Sequence, residues 1–378
     1  MAFGAALVGR LGYGMLGVAL LLELSAGGGS LARGGLLATG FGTVSVVLGP
    51  ARADLVDRWG AGRALPALAA PFAGALLTLA CCGGSTNTAV LGLLVAAGGA
   101  TCPPLGPTMR AVWGALAPQE ALLQRAFGLD TVAEEVLFLV GPPLAVALDP
   151  ARALAVAAVL VAVGACALAA APATRLLAAG GAGGARSARA RSGPLSAGGA
   201  GVRRAAVAAL AVGVCLGAVD LYVLACARQA HHAGAVGWVL AGQSAGSVVG
   251  GLVNGRLRWR RPAPARLPLL LAGLAALLCV DAVAAGSLPW LAGCVAATGT
   301  LLAPTLSTAY LAAARTAPEG AAARATGWVN SAVNAGSSAG GALASALVGA
   351  HVLPVGFLAT GAVVGLCAFG AGECGRNG

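Results

Sequence analysis

The sequence predicts an all-α membrane protein: twelve transmembrane helices arranged as two pseudo-symmetric six-helix bundles. Three observations carry that expectation. The chain is 58% hydrophobic and only 9% charged, with a mean hydropathy of +0.88, whereas a soluble domain carries roughly 25% charged residues. Its apolar residues fall into long runs separated by short polar segments. Short motifs recur in the second half of the chain at nearly constant spacing. A span needs about 20 apolar residues, so 378 residues accommodate a dozen spans with short loops.

Twelve apolar stretches can be drawn, at about 3–24, 31–53, 64–83, 88–116, 126–148, 152–172, 204–227, 233–255, 267–286, 288–314, 324–348 and 350–371. The first begins almost at once, without a basic leader or a cleavage site, and reads as a retained span rather than a signal peptide. Between the second and third lies the segment from Gly49 to Arg63, which gathers Asp54, Asp57, Arg58 and Arg63. Such a density of charge does not lie in hydrocarbon, so a loop is expected there. Pro103, Pro104 and Pro107 are expected to kink the fourth span. Residues 174–203 are rich in Gly, Ala, Ser and Arg and read as a linker. The expected division is thus an N-terminal bundle over 1–173, a linker over 174–203 and a C-terminal bundle over 204–378.

Charge gives the topology. There is no lysine, and the 23 basic residues are all arginine. With alternate loops assigned to opposite sides, one side receives 17 arginines, from Arg58 to Arg376, with Arg52 and Arg110 close to the same face. The other side receives only Arg33, Arg152 and Arg228. The positive-inside rule then places both termini and the linker in the cytoplasm. The net charge of +11 belongs to this asymmetry rather than to a nucleic-acid surface.

The repeat supports two equivalent halves. Leu55-Val56-Asp57 reappears as Leu252-Val253-Asn254, 197 positions on, and Pro107-Thr108 as Pro304-Thr305 at the same offset. Gly128 and Gly141 align with Gly327 and Gly340 at an offset of 199, which sets Glu135 opposite Asn334. Equivalent spans matched in the same direction mark a parallel repeat. Gly246/Gly250 and Gly336/Gly340 have the spacing that lets helices pack closely.

These features together resemble the major facilitator superfamily over essentially the whole chain. Asp57-Arg58, Gly60 and Arg63 fit that family's 2–3 loop signature, with Ala53 where its first glycine is expected. The run from Arg110 to Gly114 resembles its span 4 motif, with Trp113 where glutamine is usual, and Gly141-Pro142 resembles the core of its antiporter motif, with Ala145 in place of the following glycine. The resemblance implies the major facilitator fold, rocking of one half against the other, a monomer, and a cytoplasmic gate built from Asp57, Arg58, Gly60 and Arg63.

Ionisable residues inside spans are expensive and mark function or pairing. Glu134 and Glu135 lie nine or ten residues beyond Arg125, about 14 Å along a helix and near the middle of a core about 30 Å thick. A carboxylate desolvated there can take up and release a proton; equally, one or both can pair with Arg110 or Asn334 and lock spans together. Asp220, deeper in the outer half, is a third proton-coupling candidate. Arg10, Arg110 and Asn334 are candidates for the substrate cavity: Arg10 could bind an anionic group or snorkel. Asp281 reads as an interfacial charge, Asp130 as a partner of nearby arginines, and Trp59 and Trp259 as interfacial anchors.

The expected function is secondary active transport, a proton-coupled antiporter exporting small amphipathic or hydrophobic compounds. An importer or symporter of a small metabolite or sugar, or a non-transporting sensor of the same fold, is the alternative. The partners implied are a small-molecule substrate, protons and the lipid bilayer, with no nucleic acid and no cofactor. His231, His232 and His351 show no metal-ligand spacing, and no nucleophile motif points to an enzyme. The GxxxxGK[ST] phosphate loop of an ATP-driven pump does not occur. The ten cysteines, without CxxC spacing, are expected to be small buried hydrophobes.

Overall fold

Long apolar runs become helices because hydrocarbon offers the backbone no partner but itself. A computed structural model describes residues 1–25, 31–82, 87–117, 119–175, 199–232, 235–318, 321–348 and 353–373. Its helices are α1 (Ala2–Ser25), α2 (Leu31–Trp59), α3 (Ala61–Cys82), α4 (Thr88–Thr101), α5 (Leu105–Leu116), α6 (Glu120–Val146) and α7 (Pro150–Ala170). A 3-10 turn follows at Pro172–Thr174, and then α8 (Gly199–Gln229), α9 (Val236–Arg256), α10 (Ala263–Ala284), α11 (Leu288–Thr316), α12 (Ala322–Val348) and α13 (Leu353–Glu373). Most of the expected linker, and His351, lie outside the described residues; Arg203 and Arg204 fall on α8.

Among the described residues, ten helical segments are long and apolar enough to cross a bilayer, α4 and α5 counting as one. The two that fall short are α6 and α12, each 27 residues long and the fifth element of its half. Glu120, Arg125, Asp130, Glu134 and Glu135 interrupt α6; Arg324, Asn330, Asn334 and several serines interrupt α12.

Three local expectations are corrected. The segment from Gly49 is not a loop: α2 runs on through Pro50 and the charged residues to Trp59. A helix need not end where its apolar stretch ends, because Asp54 and Arg58 pair one turn apart at 2.6 Å. The chain turns only at Gly60, whose φ of 77° lies where a side chain would be strained. Span 4 is broken rather than kinked. Cys102 leaves the helix with ψ 114°, as the residue before proline favours, and Tyr13 donates its hydroxyl proton to the carbonyl of Pro103. The cysteines, finally, are not mostly buried: among the described residues only Cys215 and Cys226 are, whereas Cys81, Cys82, Cys166 and Cys279 are exposed. A bilayer accepts a small apolar group on the outer face of a helix, as it does Val283, Phe369 and Leu366, which are also exposed.

The helix pairings repeat. In the first half α1 packs on α7, α2 on α4, and α3 on both α4 and α7; in the second α8 packs on α13, α9 on α11, and α10 on both α11 and α13. Clustering of contacts yields two units: Met1–Leu116 with Val136–Ala190 and Glu319–Gly327, and Ala117–Glu135 with Arg191–Pro318 and Trp328–Gly378. The same two helices, α6 and α12, thus contribute to both units.

Close approach comes from glycine. Between lipid-solvated helices the hydrophobic effect gives little drive, and dispersion contacts over small residues take its place. Gly246 and Gly250 of α9 lie against the Ala296 and Thr300 carbonyls of α11; Gly336 and Gly340 of α12 lie against Leu210 and Val214 of α8. Gly141 of α6 meets the backbone of Gly14 on α1 as Gly340 meets that of Val214, so the alignment of Gly141 with Gly340 is also an equivalence of contacts. Larger residues fill the remainder. In the first unit Met15, Leu20, Phe72, Leu76, Val95, Leu154 and Val161 form one buried cluster.

Replacing Gly141 by valine forces a branched side chain into the Gly14 backbone and is expected to cost about 1–3 kcal/mol, read as a lower midpoint of thermal unfolding in detergent. Gly17→Ala, where a Cβ meets nothing within 4 Å, is expected to leave the midpoint unchanged or raise it.

Candidate functional site

On α6, Glu134 and Glu135 fall in the middle of the helix, both half-buried. Successive helical positions diverge by about 100°, so they address different neighbours. Glu135 accepts a hydrogen bond from Ser247 Oγ of α9 at 3.2 Å. Ser247 is fully buried, and Gln243, one turn earlier on the same face, is 4% exposed; its Nε2 has no partner among the described residues. Glu134 and Asp220 lie within electrostatic reach of Glu135, and Asp220, on α8, is exposed. The result is a polar patch of three carboxylates, a hydroxyl and an amide, drawn from α6, α8 and α9. The partner of Glu135 is Ser247. Neither Ser247 nor Gln243 was legible as a site residue, since a serine or glutamine within an apolar run carries no signal of its own.

Arg10 and Arg110 are both buried, 3% and 0% exposed, and stand around Gly106. Arg10 Nη2 donates to the Gly106 carbonyl at 3.4 Å, and a Cβ at Gly106 would lie 3.2 Å from Arg110 Nη1 and 3.7 Å from Arg10 Nη2. The two guanidinium groups therefore approach one glycine of α5, from α1 and from α5 itself. Asn334 is exposed on α12, and its amide nitrogen donates to the Asn330 carbonyl at 3.0 Å. Gly141 has the packing role already described, with Pro142 and Pro143 inside α6.

Of the residues expected at the cytoplasmic gate, Asp57 makes the contacts with α12. Asp57 accepts the backbone N–H of Ala323 at 3.3 Å and of Arg324 at 2.8 Å, capping the first turn of α12, whose orphan donors and positive dipole end favour a carboxylate. Asp54 completes the contact through Arg324 Nη1 at 3.2 Å. Among the described residues Arg58 reaches only Asp54, with its side chain half exposed; Gly60 makes the turn, and Arg63 is exposed. Ala53 packs against Gly327, where an added Cβ would stand 2.9 Å from the Ala53 Cβ.

The other half has its own version at the offset that aligns Asn254 with Asp57. Gln124 of α6 donates to the Asn254 carbonyl and to that of Leu257, and Asn254 Nδ2 donates to Ser307 at 3.2 Å. Arg266, 3% exposed, donates to Gln124 Oε1 at 2.7 Å, Glu120 Oε1 at 3.0 Å and the Arg261 carbonyl at 2.6 Å, and stacks over Trp259 with 5.4 Å from guanidinium carbon to ring centroid. Two expectations change here. Trp259 is not a free anchor, since its Nε1 donates to Asn254 Oδ1 at 3.0 Å; Trp59 is exposed at the end of α2. Asp281 is not interfacial but fully buried, accepting from Thr298 Oγ1 at 2.8 Å, because α11 supplies that hydroxyl where the sequence showed only an apolar run. Asp130 is also fully buried. His231 and His232 form the turn after α8. Among the described residues no group of three or more His, Cys, Asp or Glu side chains stands close enough to hold a metal ion.

If Asp57 caps α12, Asp57→Ala removes two charge-assisted hydrogen bonds and is expected to destabilise this contact by about 2–4 kcal/mol. Arg58→Ala, losing one solvent-exposed pair, is expected to change stability by less than about 1 kcal/mol. Hydrogen exchange of the Ala323 and Arg324 amides distinguishes them: faster in the first variant, unchanged in the second.

A sequence model described as Major Facilitator Superfamily matches residues 205–372, from α8 into α13. No curated protein matches the sequence. The human organic anion transporter MFSD10 (TETRAN) superposes with a TM-score of 0.71 at 16% identity, covering 97% of each chain. A bacterial homologue of the iron transporter ferroportin, in an outward-facing state with soaked iron, superposes with a TM-score of 0.72 at 15% identity, covering 98% of each chain. This multi-pass membrane protein therefore has the all-α major facilitator fold, and its second half carries the sequence pattern of that superfamily.

Proposed function

We propose that the protein is a secondary active transporter, a proton-coupled antiporter that exports small amphipathic or hydrophobic compounds by alternating access, and that it works as a monomer with its arginine-rich helix ends in the cytoplasm. The observation that carries the reading is Glu135. It sits mid-helix on α6, too polar to count among the lipid-compatible spans, and is held by Ser247 with Glu134 and Asp220 in electrostatic reach. A carboxylate at that depth is tolerated when it faces a cavity or a partner, and one that alternates between a hydroxyl partner and water can carry a proton. The family pattern over α8 to α13 supports transport, and the apolar residues that make up most of α8 and α9 around those carboxylates support amphipathic cargo. The contacts of Asp57 with α12, and of Gln124 with Asn254, act as latches that break when access alternates.

A second reading of the cargo has its own observation. Arg10 and Arg110, buried around Gly106, offer the geometry that an anionic group on the cargo would use, and MFSD10 is an organic anion transporter.

The test is accumulation of lipophilic dyes, with organic anions alongside, in inside-out vesicles under an imposed proton gradient. Glu135→Gln is expected to lower gradient-driven accumulation at least about tenfold, a barrier change of about 1.4 kcal/mol, while dye binding without a gradient persists. Undiminished accumulation in both Glu135→Gln and Glu134→Gln would remove proton coupling from α6. Accumulation of the organic anions alone, lost in Arg10→Gln, would favour the second reading.

A further inference from the structure

The packing of α6 on α9 leaves a hollow of about 360 Å³ lined by Arg125, Leu129, Gly251, Leu252, Gly255 and Arg256. Glycine makes it. A Cβ at Gly128 would stand 3.3 Å from the Gly251 carbonyl oxygen, so the backbones meet here, and Gly251 and Gly255 put no side chain into the space beside that meeting. Arg125 lies near the start of α6 and Arg256 is the last residue of α9, so both cations stand at the same mouth. One turn deeper, Leu129 and Leu252 are 47% and 42% exposed, and Val249, a further turn along the same face of α9, is 56% exposed. Neither arginine forms an ion pair among the described residues, whereas Arg58, Arg152, Arg266 and Arg324 all do.

We propose that this hollow binds an anionic phospholipid, its phosphate between Arg125 and Arg256 and its acyl chain along Leu129, Leu252 and Val249. Each helix presents a cation at the mouth with exposed apolar side chains deeper in the same direction, which is the order of groups in a lipid. Free phosphate would satisfy the arginines and leave the apolar track uncovered. The mouth is at the arginine-rich side, where basic pockets between helices meet the anionic leaflet. A lipid seated there would hold α6 to α9 beside the Gln124–Asn254 contact and reinforce it. Nothing in this assignment depends on what the protein transports.

Native mass spectrometry of the full chain, delipidated and then titrated with phosphatidylglycerol or phosphatidylcholine, tests it. Each arginine near an anionic headgroup contributes roughly a fivefold preference. Phosphatidylglycerol is therefore expected to be retained over phosphatidylcholine by roughly thirtyfold. Arg256→Gln, at an exposed helix end without an ion pair, is expected to fold normally and lower that preference about fivefold; Arg125→Gln with Arg256→Gln should abolish it, and the corresponding lysine pair should restore it. Equal retention of the two lipids by the wild type overturns the proposal, as does a preference that survives in Arg256→Gln undiminished. Displacement of phosphatidylglycerol by millimolar inorganic phosphate, with phosphate alone giving the same thermal stabilisation, would also overturn it in favour of a free anion.

Discussion

A polar group in hydrocarbon must find a partner, and α6 and α12 contain more of them than a lipid-facing helix can satisfy. Among the described residues ten other segments are apolar enough to face lipid; these two are not, and they are the two helices that contribute to both compact units. The placement follows from the chemistry. Glu135 requires the Ser247 hydroxyl, Gln124 requires the Asn254 and Leu257 carbonyls, and the first turn of α12 requires the Asp57 carboxylate. Each requirement draws part of a polar helix against a helix from the other half of the sequence. The glycines then set how close the approach becomes, at Gly128 against Gly251 and at Gly327 against Ala53.

The fold was legible because its main signals are local. Twenty-residue apolar runs, an arginine asymmetry and a repeat at 197 to 199 residues all survive without knowledge of contacts, and the repeat went further than expected. The alignment of Gly128 with Gly327, and of Gly141 with Gly340, predicts not only equivalent positions but equivalent neighbours, which the packing of α6 and α12 bears out. The errors have a shared cause. The segment after Gly49 reads as a loop because its charges cannot enter hydrocarbon, yet α2 simply continues beyond its apolar part. Cysteine was expected inside because soluble proteins bury it, whereas a bilayer removes the reason to do so.

The site was less legible, and the missing parts are partners rather than principals. Asp57, Glu134, Glu135 and Arg110 stand out as charges wherever they lie. Asp54 and Arg324, which form the only ion pair linking the two sequence halves at Asp57 among the described residues, are separated by 270 positions, and no spacing rule joins them. Arg266 carries no mark in the sequence beyond its place among the arginines of one side, and only tertiary structure shows it 3% exposed between Gln124, Glu120 and Trp259. Arg266, in the first turn of α10, belongs to the same run of arginine, proline and alanine as the exposed Arg260 and Arg261.

The two equivalent helix-end contacts have diverged in chemistry, and the divergence has a physical consequence. Beside Asp57, which accepts two backbone N–H groups of α12, Asp54 and Arg324 pair as formal charges, with side chains 21% and 15% exposed. At the equivalent position the contact with α6 runs from the Gln124 side-chain amide to the backbone carbonyls of Asn254 and Leu257, while the Asn254 amide donates to Ser307 of α11, and Gln124, Asn254 and Ser307 are buried. Added salt screens partly exposed charges over a Debye length of about 8 Å at physiological ionic strength and leaves buried neutral hydrogen bonds almost untouched. Ionic strength therefore loosens the start of α12 while leaving the start of α6 in place, apart from the Glu120–Arg266 pair at its half-exposed rim. A duplicated fold need not respond symmetrically to its surroundings, and here the partly exposed Asp54–Arg324 pair beside Asp57 separates the two responses.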